Sequence, residues 1–190
     1  MKRLVIFASG SGSNAENIIQ YFKNHPNICV TSVLSNKKDA KVLERAKNLN
    51  TPSQFFSKND FFKEDTILNF LKNNADYIIL AGFLLKVPKK ILQAFPDKII
   101  NIHPALLPKF GGKGMYGMRV HRAVKEQGES TTGITIHYAN ENYDEGGIIF
   151  QATTNVNKTD SPELIAMNIH KLESTYFPKI IEETILKKNK

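Results

Sequence analysis

Asn101 and His103 are the residues whose types and spacing best suit chemistry. They lie two positions apart in the apolar run Ile99-Ile100-Asn101-Ile102-His103, which is typical of the end of a buried strand. Side chains at positions i and i+2 of a strand point to the same face, so the amide and the imidazole project together. Pro104 cannot donate to a strand ladder and ends the strand. The pair therefore lies at a strand's C-terminal end, where open α/β sheets bind ligands, and suits oxyanion stabilisation and proton transfer.

A glycine-rich turn, Gly10-Ser11-Gly12-Ser13-Asn14, joins the first predicted strand to the first helix. Glycines let the backbone approach a ligand closely, and a helix N-terminus offers N–H groups to an anion. The third glycine of a dinucleotide-binding motif is missing, because Glu16 and Asn17 follow. The turn predicts a phosphate site; the alternative is a plain tight turn in which Ser13 or Asn14 caps the helix.

The stretch Asn140–Gly147 separates the last two predicted strands and is rich in Asn and acidic residues. Such stretches are usually hairpin loops, but this one is long enough to carry function. An acidic residue here, approaching His103, would hold the imidazole protonated. The other histidines lack metal-ligand spacing, so we expect no metal site; they are His25, His121, His137 and His170.

Composition narrows the class of protein. A chain of 190 residues, 41% hydrophobic, predicts one domain over residues 1–190. No stretch approaches the roughly 18 apolar residues of a membrane span, and the single cysteine, Cys29, excludes an intramolecular disulfide. The net charge of +8 comes mostly from scattered lysines, which favours solvated helix faces over nucleic-acid binding. We expect a cytoplasmic protein with small-molecule substrates, no nucleic-acid partner and no membrane partner.

Strand and helix patterns alternate along most of the chain. Strands are predicted at Arg3–Ala8, Ile28–Leu34, Ser53–Phe56, Tyr77–Ala81, Lys98–Ile102, Gly133–Tyr138 and Ile148–Asn155. Helices are predicted at Ala15–Asn24, Lys41–Asn50, Asp60–Asn73, Val87–Phe95, Arg119–Gln127 and Pro162–Lys188. The expected fold class is α/β: a Rossmann-like, doubly wound, mostly parallel sheet of about seven strands, with a late antiparallel strand pair and a long C-terminal helix.

Several motifs together match one family pattern. They are Gly10–Asn14, Leu80-Ala81-Gly82-Phe83, Asn101-Ile102-His103-Pro104-Ala105-Leu106-Leu107-Pro108, Gly133-Ile134-Thr135-Ile136-His137 and Asp144-Glu145-Gly146. On these motifs the chain resembles the phosphoribosylglycinamide formyltransferase family of folate-dependent enzymes over nearly its whole length. The resemblance implies transfer of a formyl group from the co-substrate 10-formyltetrahydrofolate to the amine of glycinamide ribonucleotide in purine synthesis.

The resemblance also implies roles for individual residues. His103, Asn101 and Asp144 would be catalytic, with Asn101 and His103 stabilising a tetrahedral intermediate formed by direct attack. The residues implied for the ribonucleotide are Gly12, Ser13 and Asn14 on its phosphate, and His170 and Glu173, with Glu173 on the ribose hydroxyls. Those implied for folate are Leu84, Leu85, Lys86, Val87, Asn101, Asn140, Glu141, Tyr143 and Asp144. A cis peptide is implied between Leu107 and Pro108.

The chain departs from the family pattern at three places. Leu84-Leu85-Lys86 stands where the family commonly carries Met-Arg, and Asn59 stands where many relatives have a folate-contacting Arg. The loop Gly111–Gly117 is longer than the family's usual Pro-Gly turn. A mobile lid and a floppy insertion both remain open for this loop.

Other functions share some of these features. Initiator-tRNA formyltransferase carries the same motifs beside a nucleic-acid-binding domain, and formyltetrahydrofolate hydrolase carries an N-terminal regulatory domain; we expect neither extra domain here. A basic, non-catalytic nucleotide- or RNA-binding module would leave the Asn101/His103 pair unexplained, and its binding would weaken steeply with salt. The oligomeric state is expected to be a monomer or a homodimer.

Overall fold

The computed structural model describes residues 1–187. Its strands are β1 (Lys2–Phe7), β2 (Ile28–Ser35), β3 (Ser53–Phe55), β4 (Tyr77–Leu80), β5 (Ile99–His103), β6 (Thr131–Tyr138) and β7 (Ile148–Asn155). Its helices are α1 (Ser13–Phe22), α2 (Lys41–Asn48), α3 (Lys58–Phe62), α4 (Thr66–Asn74), α5 (Lys89–Ala94), α6 (Met118–Glu126) and α7 (Pro162–Lys187). None of the helices in this described part of the chain is long and apolar enough to cross a membrane.

The strands form one seven-stranded sheet in the order β3-β2-β1-β4-β5-β6-β7. The pairs among β1 to β5 are parallel, and β6 pairs antiparallel with β7. The expected Rossmann-like α/β sheet, with its late antiparallel pair and long C-terminal helix, is thereby confirmed. The chain divides into two compact units, of which the first covers Met1–Asn101 and the second begins at Ile102.

The first unit contains the point at which the strand order reverses. β1 lies between β2 and β4, and β4 pairs on its other side with β5. Ligands of open α/β sheets bind beyond the carboxyl ends of the strands at such a point. The segments that leave these two ends are the glycine turn (residues 10–14) after β1 and the post-β4 segment (residues 82–87).

The core of the first unit explains why its central strands are wholly apolar. β4 is buried along its length, and residues 4–7 of β1 are at most 1% exposed, as expected for strands covered on both faces. At the end of β1, the Phe7 ring packs against Phe56 and Phe83, with centroid distances of 5.6 and 5.1 Å. Aromatic packing therefore anchors the start of the post-β4 segment to β1.

One predicted helix is wrong. The helix expected over residues 60–73 is broken into α3 and α4. A capping box between Ser57 and Asp60 starts α3 early, and the Glu64 N–H bonds to the carbonyl of Asn59, which closes the helix.

The start of α5 shifts for a local reason, whereas the start of α7 lies where it is predicted. α5 begins at Lys89 rather than Val87, because Pro88 adopts an extended conformation (ψ 145°) that precedes the first helical residue. α7 begins at Pro162 as predicted, and the Ser161 hydroxyl accepts the Leu164 N–H at 3.2 Å. The predicted last residue of α7, Lys188, lies outside the described residues.

In the second unit, α6 carries a buried histidine, His121. Val120, His121 and Val124 form the buried face of α6, and the His121 side chain is 2% exposed. Its Nδ1 atom has no hydrogen-bond partner among residues 1–187. Burial, helped by the positive charge of His170, lowers the pKa of His121 to about 4.

His121 should make the fold sensitive to acid. In the unfolded chain the imidazole takes up a proton as the pH falls through about 6.5, whereas in the folded chain it stays neutral until about 4. Stability is therefore lost as the pH falls below about 6.5, by about 2 kcal/mol from this group on going from about pH 7 to about pH 5. We expect His121→Met to remove most of this loss in urea unfolding at the two pH values.

Val124→Ala is the matched control, since Val124 lies on the same buried face of α6 and does not titrate. It should lower the free energy of unfolding about equally at both pH values. A pH dependence that is the same in His121→Met and in wild type would contradict this account.

Candidate active site

β5 carries the two residues singled out by their spacing. Asn101 and His103 lie two positions apart on this strand, so their side chains leave the same face; Asn101 is half-buried and His103 is 4% exposed. The strand ends at His103. Further along the chain, the peptide bond between Leu107 and Pro108 is cis, as the resemblance implied.

Thr135 on β6 holds the segment that follows His103. Its buried hydroxyl donates to the carbonyl of Ala105 at 2.7 Å and accepts the N–H of Leu107 at 3.0 Å. The Gln151 amide on β7 donates to the same hydroxyl and to the Leu107 carbonyl. The backbone beyond the imidazole is thus fixed by strands of the second unit.

The His103 ring lies between two acceptors. Its Nδ1 is 3.5 Å from Asp144 Oδ2, and its Nε2 is 2.7 Å from the carbonyl oxygen of Phe110. A neutral imidazole has one N–H, whereas the cation has two, so the cation is the form that satisfies both neighbours. The predicted approach of an acidic loop residue to His103 is present in the structure.

Asp144 raises the pKa of His103 as predicted, but the ring is not held protonated at neutral pH, because burial outweighs the carboxylate. Burial favours the neutral ring and lowers the pKa below its usual value, although the Asp144 charge and the Phe110 carbonyl act in the opposite sense. Asp144 therefore limits the shift and does not reverse it. In the free protein, neutral imidazole predominates at neutral pH.

Asp144 is itself held by groups on both sides. Its Oδ1 lies 3.6 Å from His137 Nε2, and its Oδ2 accepts the Gly112 N–H at 2.9 Å. The other nitrogen of His137, Nδ1, bonds to the Tyr138 carbonyl at 2.9 Å. Burial opposes ionisation of Asp144, but His137, His103 and the Gly112 N–H outweigh it, so its pKa lies below the ordinary value.

The loop around Asp144 turns this one side chain inward. Asp144 has φ 58°, in the left-handed region, and its side chain is 13% exposed. Asn140, Glu141 and Tyr143, which the resemblance implies for folate, lie exposed on the same loop. The loop is braced by the Asn142 N–H on Asn140 Oδ1 at 2.9 Å.

The loop after Pro108 packs directly on Asp144. A Cβ on Gly111 would stand 2.6 Å from Leu107 Cδ2 and 3.3 Å from Asp144 Cβ, so a larger residue there would have to displace the Leu107 side chain. Phe110 has φ 57°, which aims its carbonyl at His103. The first residues of the predicted lid or insertion thus contribute backbone groups to the site.

The glycine turn is attached to α2. Gly12 has φ 79° and occupies the N-cap position of α1, so the cap predicted at Ser13 or Asn14 is wrong; the plain tight turn stays a prediction beside the phosphate site. A Cβ on Gly12 would meet Val42 Cβ at 2.5 Å, which shows that packing against α2 requires this glycine. Arg45 ties the turn further, since its Nε donates to the Ser11 carbonyl at 2.9 Å and its guanidinium pairs with Glu16.

The post-β4 segment is fixed through its backbone. The Leu84 N–H donates to Ser9 Oγ at 3.0 Å, while the Leu84 side chain is 40% exposed. Leu85 is half-buried, Lys86 is exposed and Val87 is buried. Asn59, the position of a second family departure, lies on α3 and bonds to Glu64.

His170 and Glu173 on α7 are brought together as an ion pair. His170 Nδ1 is 2.8 Å from Glu173 Oε2, and Glu173 is buried while His170 is exposed. This bond raises the pKa of His170. The two residues implied for the ribonucleotide are therefore neighbours on one turn of α7 and contact each other.

Several groups that contact His103, Asp144 or the segment after β5 were not predicted from the sequence. Thr135 and His137 alternate with buried isoleucines on β6, so they lie on the same face of the strand. This spacing could have indicated from the sequence that both belong to the site. The Phe110 carbonyl and the Gly112 N–H are backbone groups, and no side-chain pattern marks them.

Several known proteins resemble this chain in sequence. Residues 2–181 match the family model described as formyl transferase. The chain is 40% identical to the chloroplastic phosphoribosylglycinamide formyltransferase of Arabidopsis thaliana, over 97% of this chain and 67% of the relative. It is 35% identical to the phosphoribosylglycinamide formyltransferase of Bacillus subtilis strain 168, over 97% of this chain and 95% of the relative.

Solved structures show the same likeness. The phosphoribosylglycinamide formyltransferase from Bacillus halodurans superposes with a TM-score of 0.87 at 33% identity, covering 100% of this chain and 97% of that one. Glycinamide ribonucleotide transformylase 1 from Geobacillus kaustophilus gives 0.86 at 36% identity, covering 95% and 96%. With its sequence and its fold in agreement, the chain belongs to the phosphoribosylglycinamide formyltransferases of the formyl transferase family.

Proposed function

We propose that the protein transfers the formyl group of 10-formyltetrahydrofolate to the amine of glycinamide ribonucleotide in purine biosynthesis. The observation that carries the proposal is the Asp144 carboxylate 3.5 Å from His103 Nδ1 at the end of β5, in a chain of this family. A buried imidazole beside an ionised carboxylate is suited to hold and release a proton.

The amine of the ribonucleotide attacks the formyl carbon and forms a tetrahedral oxyanion. The Asn101 amide and the His103 ring stabilise this charge by donating to it, an effect often worth about 3 kcal/mol per donor. The interaction is stronger in the transition state than with the neutral formyl group, so it acts mainly on kcat.

One proton moves from the attacking amine to the folate nitrogen by way of His103. As the new C–N bond forms, the attacking amine loses a proton to neutral His103; as the bond from the formyl carbon to the folate nitrogen breaks, the imidazolium returns the proton to that nitrogen. Asp144 stabilises the cation between these steps. No covalent enzyme intermediate and no metal is needed.

The remaining roles follow the family resemblance. Gly12, Ser13 and Asn14 bind the phosphate, with Glu173 on the ribose hydroxyls, and the post-β4 segment and the Asp144 loop bind folate. We further propose that residues 1–190 act as a single cytoplasmic formyltransferase domain, as a monomer or homodimer, without a nucleic-acid or membrane partner.

The direct test is a formyl-transfer assay with 10-formyltetrahydrofolate and three acceptors: glycinamide ribonucleotide, initiator tRNA and water. Turnover with glycinamide ribonucleotide, well above the other two, is the expected result. Preferred transfer to tRNA or to water would show that glycinamide ribonucleotide is not the acceptor. Tight, strongly salt-dependent RNA binding without turnover would instead indicate a binding module.

Alanine at Asn101 or His103 should lower kcat about 100-fold or more, while the dissociation constant for tetrahydrofolate changes much less, because both groups act mainly on the transition state. The double variant should lose less than the sum of the two single losses, since residues that act as a unit are not additive. Steady-state kinetics with a binding titration checks this. Additive losses, or a loss confined to KM, would show that the two residues do not share one step.

Asp144→Asn should lower the pKa of His103 further, because the anion that favours imidazolium is removed. The protonated fraction at a given pH then falls, and recovers only at lower pH. Histidine NMR titrations of wild type and variant measure the shift.

Glu145→Gln is the matched control, since it neutralises the next residue of the same loop, whose carboxylate bonds to Asn142. It should leave the pKa of His103 nearly unchanged. An Asp144→Asn titration that also leaves it unchanged would reduce Asp144 to a loop-shaping residue.

A further inference from the structure

Ser9 lies two residues beyond the end of β1 and bonds to two neighbouring segments. It is 1% exposed. Its N–H donates to the Gly82 carbonyl at 3.1 Å, and its hydroxyl oxygen accepts the Leu84 N–H at 3.0 Å. Its hydroxyl proton goes to Asn36 Oδ1 at 2.6 Å, just beyond the end of β2. The serine thus ties together the ends of β1, β2 and β4 within the first unit.

The bond to Leu84 fixes backbone that packing leaves exposed. Phe83 is anchored by its ring against Phe7, but the next side chain, Leu84, is 40% exposed. Gly82 has φ 71°, so the chain turns sharply as it leaves β4. The Ser9 bonds to Gly82 and Leu84 clamp this turn on both sides of Phe83.

The residues that follow Ser9 are tied in another direction. The Gly10 carbonyl accepts the Val42 N–H at 3.2 Å, and the Ser11 carbonyl accepts Arg45 Nε at 2.9 Å, so both bonds lead to α2. Ser9 is therefore the residue at which the glycine turn, held by α2, is joined to the post-β4 segment.

We propose that Ser9 is a positioning residue that sets the post-β4 segment against the glycine turn, and so aligns the folate-binding and ribonucleotide-binding segments before either substrate binds. The proposal rests on the proposed function, which supplies the roles of residues 84–87 and 12–14. A loop held in its binding conformation spares the ligand the cost of ordering it. Loss of the hydroxyl therefore acts on folate affinity through Leu84 and leaves the reacting groups in place.

The test compares Ser9→Ala with wild type by two measurements. Amide hydrogen exchange at Leu84, followed by NMR, reports the hydrogen bond itself; we expect it to become about tenfold faster. Steady-state kinetics reports the consequence; we expect the KM for 10-formyltetrahydrofolate to rise about three- to tenfold, with the KM for glycinamide ribonucleotide and kcat within about twofold.

Two further variants keep the test decisive. Asn36→Ala removes the acceptor of the Ser9 proton but leaves Ser9 Oγ to accept the Leu84 N–H. The KM for 10-formyltetrahydrofolate should therefore rise by only about twofold. If Ser9→Ala does not fold, Asn36→Ala provides the test of the positioning role instead. Thr31→Ala is the control, because the Thr31 hydroxyl bonds to the carbonyls of Leu4 and Asn74 near the start of β1. It should leave both KM values and the Leu84 exchange rate unchanged.

The outcomes distinguish failure of the positioning role of Ser9 from failure of the proposed function. Unchanged Leu84 exchange in Ser9→Ala, or faster exchange with an unchanged KM for folate, overturns the positioning role. An equal rise in both KM values, accompanied by the same change in Thr31→Ala, shows a general loss of structure and overturns it too. If wild type transfers no formyl group to glycinamide ribonucleotide, the proposed function fails, and titration of wild type and Ser9→Ala with tetrahydrofolate decides the role of Ser9 alone.

Discussion

The negative charge of Asp144 determines how the groups around His103 are arranged. Its two carboxylate oxygens face different histidines, at 3.5 Å from His103 and 3.6 Å from His137, and the Gly112 N–H donates to it at 2.9 Å. A carboxylate that is 13% exposed is stable as an ion only with such partners. The partners come from β5, β6 and the loop after Pro108. Ionisation of one side chain is therefore coupled to the folding of three segments.

Burial and charge act on His103 in opposite directions. Burial alone would leave a ring that rarely accepts a proton, and Asp144 with the Phe110 carbonyl restores part of that capacity. The pKa of a group in this balance responds to each charge placed beside it. The oxyanion of a tetrahedral intermediate would add a second negative charge near the ring and favour the cation further. In the proposed mechanism, the site would thus become a better proton carrier as the reaction proceeds.

Much of the fold was predictable, because its signals are local. β7 was predicted at Ile148–Asn155 and lies there, and β4 was recognisable as an apolar run covered on both faces. The break between α3 and α4 was missed because the apolar spacing continues across it, while the Ser57–Asp60 capping box that causes it is a short local signal. Helix periodicity is a weak guide where polar residues close one helix and open the next.

The juxtaposition of Asn101 and His103 was predictable from alternation along one strand, but the protonation of His103 was not. The pKa of His103 depends on how deeply β5 is covered and on the Phe110 carbonyl, and both follow from tertiary packing. The same limit applies to the Gly112 N–H, which any residue in that backbone conformation would provide. Sequence patterns identify side chains that can do chemistry; the backbone groups that tune them become visible only in the fold.

The glycine turn shows that packing and ligand binding can constrain the same residue. Read from the sequence, Gly12 suggests close approach of a phosphate, whereas in the structure the space beside its Cα is filled by Val42. The two requirements are compatible, because the left-handed conformation at Gly12 ends the turn and starts α1, and the first N–H groups of any α-helix have no acceptor within the helix. Since α2 also supplies the Val42 N–H and the Arg45 guanidinium that hold the turn, the geometry of the proposed phosphate site depends on α2 as much as on the turn itself.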